Sequence, residues 1–279
     1  MRRLFKFAAI ALVAVAAVSC STARKSAGSF PAVKQDGKIA IVAHRGFWNC
    51  EQAGYAQNSI ASLKCAQDAH IWGSEFDIHL TQDGEVLVNH DSSIEGKRID
   101  SYPLSTFKAM TLKNGEHPST LDEYLTQGEK SRTVLVCEIK TQKDAAHEDA
   151  LLDKTVECFK AHGLFKPSRV VFISFSGHVC DRIAAEYPQF VNQYLNGDIA
   201  PAALETAGIN GIDYEQNVFK KNPQWAADAH AKGMSVNAWT VDKEERMQKI
   251  IALDVDQITT NEPLLLRSLL GGRERTAGK

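Results

Sequence analysis

The sequence predicts a single-domain α/β protein built as a closed (β/α)8 barrel, the TIM barrel, and three observations carry that expectation. Extended runs rich in Val and Ile alternate with helical segments about eight times along the chain, which implies parallel strands joined by helical crossovers. No glycine-rich dinucleotide loop follows the first strand, which argues against the doubly wound open sheet that shares this alternation. The length also fits: once a 19-residue leader is set aside, 279 − 19 = 260 residues remain, close to the roughly 250 of such barrels.

The leader is "MRRLFKFAAIALVAVAAVSC". Its basic start at Arg2, Arg3 and Lys6 and its apolar run from Phe7 to Val18, short for a bilayer span, read as an export signal. The run ends in small residues before Cys20 and resembles the lipobox of bacterial lipoproteins, although Ala17 stands where Leu is more usual. The expectation is a signal peptide over 1–19, acylation of Cys20, a small and polar tether over 20–37, a barrel over 38–270 and a tail over 271–279. The protein is then an exported lipoprotein, periplasmic or associated with the outer membrane, held to the membrane through Cys20. A net charge of −2 with 24% charged residues gives no basic excess for nucleic acid. Besides Cys20 five cysteines remain, an odd number without a C-x-x-C, so no zinc or redox framework is expected.

Along the barrel, "KIAIVAHRG" is the first strand, ending in His44 and Arg45, and "NSIASLKCAQDAH" follows as a helix with apolar positions Ile60, Leu63 and Ala66. "SEFDIHL" is the second strand. "TQDGEVLVNHD" contains a turn at Asp83 and Gly84 that folds back as a hairpin and returns His90 to the strand end. "TVLVCEIK" is the third strand and "LLDKTVECFKAHGL" a helix closed by Gly163. "RVVFISFS", "QFVNQYL" and "GINGIDYEQN" are three more strands, with "DRIAAEYP" and "PAALETAG" as helical pieces between them. "GMSVNAWTV" and "VDQITTNEP" are the seventh and eighth, separated by the amphipathic "KEERMQKIIALD".

The polar residues at the strand ends are informative, because barrel enzymes place their active sites there. Glu75 and Asp77 lie two apart on a strand and face the same way, as do Glu138 and Lys140. Three carboxylates from neighbouring strands make a hard oxygen site of the kind favoured by calcium, magnesium or manganese. A metal between them makes their burial tolerable, since unpaired ionised carboxylates are very costly to desolvate. His79 falls on the same face, two positions nearer the turn, and reads as hairpin surface.

"AHRG", "NSIASLKCA", "SEFDIHLTQDGEVLVNHD", "CEIK", "VNAWTVD" and "DQITTNEP" together resemble the glycerophosphodiester phosphodiesterase family, (β/α)8 barrels related to the phosphatidylinositol-specific phospholipases. The resemblance runs from about Ile39 to Leu266. It implies catalytic histidines at His44 and His90, metal ligands at Glu75, Asp77 and Glu138, phosphate-holding Arg45 and Lys140, and Trp239 against the glycerol part of the substrate. It implies one divalent cation, Ca2+ or Mg2+, and hydrolysis of a small glycerophosphodiester to glycerol 3-phosphate and an alcohol by paired acid and base chemistry. The neighbouring glycerol hydroxyl can attack first, giving a cyclic phosphate that water opens. Which histidine acts as acid is open at this point. Two departures from the family stand out: Gln57 replaces the glutamate of its P-E-N-T, and "SSIEGKRID" replaces its basic, threonine-rich stretch after H-D. They leave two alternatives, a phospholipase C- or D-like enzyme acting on intact or lyso lipids, and a barrel that binds phosphodiesters without turnover.

Overall fold

The computed structural model describes residues 38–276. The leader, Cys20 and the tether therefore lie outside the described residues. The chain begins with β1 (Ala40–Ala43), α1 (Ile60–Asp68), β2 (Gly73–Leu80) and β3 (Val86–Val88). A small excursion follows, β4 (Ser93–Ile94), β5 (Lys97–Arg98) and α2 (Leu104–Lys108), before α3 (Leu121–Gly128), β6 (Val134–Ile139) and α4 (Ala145–Ala161). Then come β7 (Val170–Ser174), α5 (Gly177–Glu186), β8 (Val191–Tyr194), α6 (Pro201–Thr206), β9 (Gly211–Glu215), α7 (Gln216–Lys221) and α8 (Trp225–His230). The chain finishes with β10 (Ser235–Trp239), α9 (Glu244–Ile251), β11 (Gln257–Thr260) and α10 (Pro263–Thr276).

Eight strands, β1, β2, β6, β7, β8, β9, β10 and β11, pair in parallel in that order. The ring closes through β1, which pairs with β11 from Ala40↔Gln257 to Ala43↔Thr260 and with β2 at Val42↔Gly73 and Ala43↔Ser74. The expected (β/α)8 barrel is thus the fold, and each of the eight expected strands occupies its place in it. β3 is the return arm of the expected hairpin, antiparallel to β2 with Ile78 opposite Val88. Thr81 fixes the turn: its hydroxyl meets Asp83 Oδ1 at 2.6 Å and accepts the Glu85 amide at 2.9 Å.

Strand alternation sorts the side chains. Outward-facing Phe76, Ile78, Leu135, Cys137 and Phe172 are covered by Leu63, Tyr124, Leu151 and Phe159 of the helices, and Ile212, Tyr214, Val236 and Ile258 by Phe219, Met247 and Leu266 on the other half. Inside the barrel, Val42, Val136, Val171 and Val191 form an apolar wall. β8, β10 and β11 contribute polar residues that hydrogen-bond to one another: Gln193 Nε2 donates to Ser235 Oγ and Gln257 Oε1, both at 3.0 Å, and Asn237 Nδ2 to Thr259 Oγ1 at 2.8 Å. Buried polar groups are tolerable only with such partners.

Helix starts follow their caps. α1 and α3 open with capping boxes, Ser59 with Ser62 and Thr120 with Glu123. α4 begins six residues before the apolar run that predicts it, because the Asp144 side chain accepts the His147 amide and sets the first turn there. Among the described residues no helix is long and apolar enough to cross a membrane.

Candidate active site

The tight turn after β1 builds the site. Arg45 (φ 54°) and Gly46 (φ 78°) both adopt left-handed backbone, and a Cβ on residue 46 would lie 2.3 Å from Ser62 Oγ, so glycine is required there. The turn brings the Arg45 amide onto Glu75 Oε2 at 2.7 Å and the Gly46 amide onto the Glu75 carbonyl at 2.9 Å.

Glu75 and Asp77 share the inner face of β2, and parallel pairing places Glu138 directly beside Asp77. All three are buried, and one oxygen from each lies within 4.8 Å of the others. Lys140 Nζ sits 3.0 Å from Asp77 Oδ1 and 2.8 Å from Glu138 Oε1. Asn58 Nδ2 donates to Asp77 Oδ2 at 2.8 Å while its Oδ1 accepts the Asp77 amide at 3.2 Å. Burial, then the charges of Asp77 and Glu138, hold the Glu75 carboxyl well above the usual carboxylate range. Burial and then Asp77 push Glu138 up to about 8 against the pull of Lys140. Asp77 is the exception: burial raises it, but Lys140, His90 and Asn58 together outweigh that and leave it below its ordinary value. Even beside the Lys140 ammonium, burial and mutual repulsion work against ionising all three acids at once, as expected of crowded carboxylates.

The two histidines differ in their surroundings. His44 Nδ1 lies 2.9 Å from Asn261 Oδ1. The orientation of that amide is fixed by its other end, where Asn261 Nδ2 donates to Asp242 Oδ2 at 2.8 Å, and Trp48 Nε1 donates to the same Oδ1 at 2.8 Å. Oδ1 accepts, so His44 carries its proton on Nδ1 and leaves Nε2 as a free acceptor. Burial and then the Arg45 guanidinium lower its pKa to about 4, so it is neutral near pH 7. His90, more open, holds its Nδ1 2.7 Å from Asp91 Oδ1. Burial lowers its pKa and the Asp77 charge opposes that.

His44, Arg45, Glu75, His90, Glu138 and Trp239 line one cavity of about 110 Å³, so the structure gathers six of the eight residues singled out in the sequence around one space. Asp77 and Lys140 stand behind that lining, tied to it by the contacts above. Ile173, Phe175 and Leu195 complete an apolar side, where Phe175 packs edge-on against Trp239 with centroids 5.7 Å apart. Trp239 Nε1 donates to the Asp213 carbonyl at 2.9 Å.

His79 corrects its expectation. It is buried, not hairpin surface, and its Nε2 meets the His90 carbonyl at 3.1 Å, so it braces the segment that presents His90. Gln57 accepts from Arg45 Nη1 at 2.7 Å, which aims the guanidinium without neutralising it. Sequence reasoning missed Asn58, Asn261 and Asp213. The first two lay inside the quoted motifs "NSIASLKCA" and "DQITTNEP", but an amide gives no signal of its own until its partner is known. Asp213, fully buried and pushed up to about 8 by that burial, lay unremarked in the sixth strand.

The model of the "Glycerophosphoryl diester phosphodiesterase family" matches residues 44–265. A solved glycerophosphodiester phosphodiesterase from Parabacteroides distasonis is 36% identical, covering 85% of this chain and 98% of its own at a TM-score of 0.81. A glycerophosphodiester phosphodiesterase of Caldanaerobacter subterraneus subsp. tengcongensis is 24% identical over 250 residues, 84% of this chain and 98% of that protein. An Oleispira antarctica phosphodiesterase, solved in complex with the product sn-glycerol-3-phosphate, is 24% identical with a TM-score of 0.71, covering 82% of this chain and 95% of that one. With the barrel, the strand-end acids and the family match in agreement, the chain belongs to the glycerophosphoryl diester phosphodiesterase family of enzymes.

Proposed function

We propose that the protein hydrolyses small glycerophosphodiesters to glycerol 3-phosphate and an alcohol, with His44 and His90 moving protons and with Glu75, Asp77 and Glu138 holding one divalent cation, Ca2+ or Mg2+. The observation that carries this reading is that both imidazoles line the cavity that Glu75 and Glu138 also line, with Asp77 directly behind.

The acids suit a hard dication. Their oxygens lie within 4.8 Å of one another, and all three are buried, hard oxygen donors. When bound, such an ion supplies Lewis-acid neutralisation of the phosphoryl oxygens. Arg45 and Lys140 bring the positive charge that balances a phosphate beside the acids. His44, neutral and with Nε2 free, takes the proton of the attacking hydroxyl, and His90, supported by Asp91, donates to the departing alcohol. Trp239 offers its face to the glycerol. A panel of glycerophosphodiesters with and without Ca2+ or Mg2+, with products identified, tests this: glycerol 3-phosphate released only when a cation is present is expected, and undiminished turnover after chelation would remove the ion from the reaction.

The apolar side of the cavity, Ile173, Phe175 and Leu195, favours one second reading, a phospholipase C- or D-like action on intact or lyso lipids. In the same assay, release from lipid substrates exceeding that from water-soluble diesters would replace the first reading with this one. The leader motif supports export and attachment to the membrane through an acylated Cys20. A Cys20→Ala chain would then leave the membrane fraction, and a variant that stays there would refute the anchor.

A further inference from the structure

Three groups unused by the reading above meet on the outside of the barrel where α3 packs near α4. One oxygen of Asp122, the sulfur of Cys158 and a ring nitrogen of His162 all lie within 4.8 Å of one another. Cys158 and His162 are four residues apart at the end of α4, with His162 as its C-terminal cap, so they share one helix face. Asp122 reaches them from the first turn of α3. The imidazole is pinned between two acids, Nδ1 2.5 Å from Glu129 Oε1 and Nε2 3.0 Å from Asp122 Oδ1. Its side chain is 11% exposed, whereas those of Asp122 and Glu129 are 76% and 47% exposed.

A ring held by a carboxylate on one nitrogen, with the other meeting a second acid and a thiol close by, is how metal-binding histidines are oriented. Sulfur, nitrogen and oxygen donors together suit zinc, which takes three protein ligands and a water in tetrahedral geometry. The thiolate makes the set a poor one for calcium or magnesium. Bonds of about 2.0 to 2.3 Å place tetrahedral donors roughly 3.3 to 3.7 Å apart. All three pairs of donors already lie within 4.8 Å, so closing to that spacing is a matter of side-chain movement, with Asp122 the most exposed of the three.

We propose that Asp122, Cys158 and His162, oriented by Glu129, form a second metal site, for zinc or a similar transition metal, that clamps α3 to α4. Binding displaces two protons, one from the Cys158 thiol and one from imidazolium Nε2. Before binding, Asp122, Glu129, protonated His162 and the thiol sum to −1 − 1 + 1 + 0 = −1. Afterwards the two acids, the thiolate, neutral His162 and the dication sum to −1 − 1 − 1 + 0 + 2 = −1, so the ion enters without leaving uncompensated charge. Without metal, burial lifts the Cys158 thiol to about 11, which keeps it protonated and unreactive.

Cobalt(II) is the probe, added to the whole protein in excess Mg2+ so that the carboxylate site inside the barrel is filled. The expected result is a thiolate-to-cobalt charge-transfer band in the near ultraviolet that saturates at one ion per chain. The band should vanish in Cys158→Ser and in His162→Ala, while Glu129→Gln keeps it with affinity weakened about 10- to 100-fold. Zinc should raise the melting temperature of the parent protein and not of Cys158→Ser, whose phosphodiesterase activity in Mg2+ stays at the parental level. No thiolate band, or a band that survives in Cys158→Ser and so arises from other cysteines, would overturn the proposal.

Discussion

Asn261 decides which nitrogen of His44 carries the proton, and it does so from the far end of the chain, 217 residues away. Its own orientation is set by Asp242, so a side chain never in the cavity governs the state of one that is. Asn261→Ala would leave the Nδ1 hydrogen without its acceptor and free the ring to turn. Turnover is expected to fall roughly tenfold to a hundredfold with little change in KM, in line with general-base contributions, as steady-state kinetics would show. His44→Ala and His90→Ala should each lower turnover by roughly a hundredfold or more while the circular dichroism spectrum is retained, and normal activity in either would refute its assignment. Asn58→Ala removes both of its own contacts to Asp77, and weaker binding of Ca2+ or Mg2+ by calorimetry is the outcome to look for.

At the scale of elements, the site is a product of strand register and of caps. β2 and β6 pair so that Asp77 lies beside Glu138, and a shift of β2 by one residue would turn Glu75 and Asp77 to the outer, helix-covered face. The caps contribute stability without touching chemistry. Thr120→Ala breaks the α3 capping box, and chemical denaturation should show a loss of about 1 kcal/mol with unchanged turnover. The strands were legible in the sequence because their alternation of apolar and polar residues is local, and the spacing of Glu75 with Asp77 places two acids on one face by arithmetic alone. What was not legible depends on distant pairing. His79 looked exposed because its cover, the returning His90 segment, arrives from another arm of the hairpin. Asp122 gave no hint of its neighbours, and Cys158 with His162 lacks the C-x-x-C spacing by which zinc sites are read, since their third partner comes from a separate helix.

For the molecule as a whole, the crowded acids make stability depend on pH, and the proposed ligation ties that dependence to metal. Glu75 and Glu138 have folded-state pKa values raised above those of the unfolded chain, Glu138 to about 8. Their contribution is therefore fully present below about 4.5, the ordinary glutamate value, and is lost as pH rises through about 8. His44 and His79 act in the other direction. Both are lowered to about 4, chiefly by burial, so the stability that depends on their neutral forms is lost as pH falls from about 6.5 towards 4. Protein stripped of metal should thus melt at progressively lower temperature between about pH 6.5 and pH 8, and added Ca2+ should restore more at pH 8 than at pH 6. Calorimetric scans with and without the ion would show it. A restoration of equal size at both pH values would mean that the acids are not the ligands.

The seam at β1 has a consequence for how activity is born. His44 and Arg45 directly follow the first stave, yet that stave is bounded on one side by the last, and the amide that meets His44 lies just past that last stave, 217 residues on. A chain cut before β11 would lack both that pairing and Asn261, and is expected to show no turnover. Cutting of phosphodiesters is then expected only once the first and eighth staves of the barrel are joined.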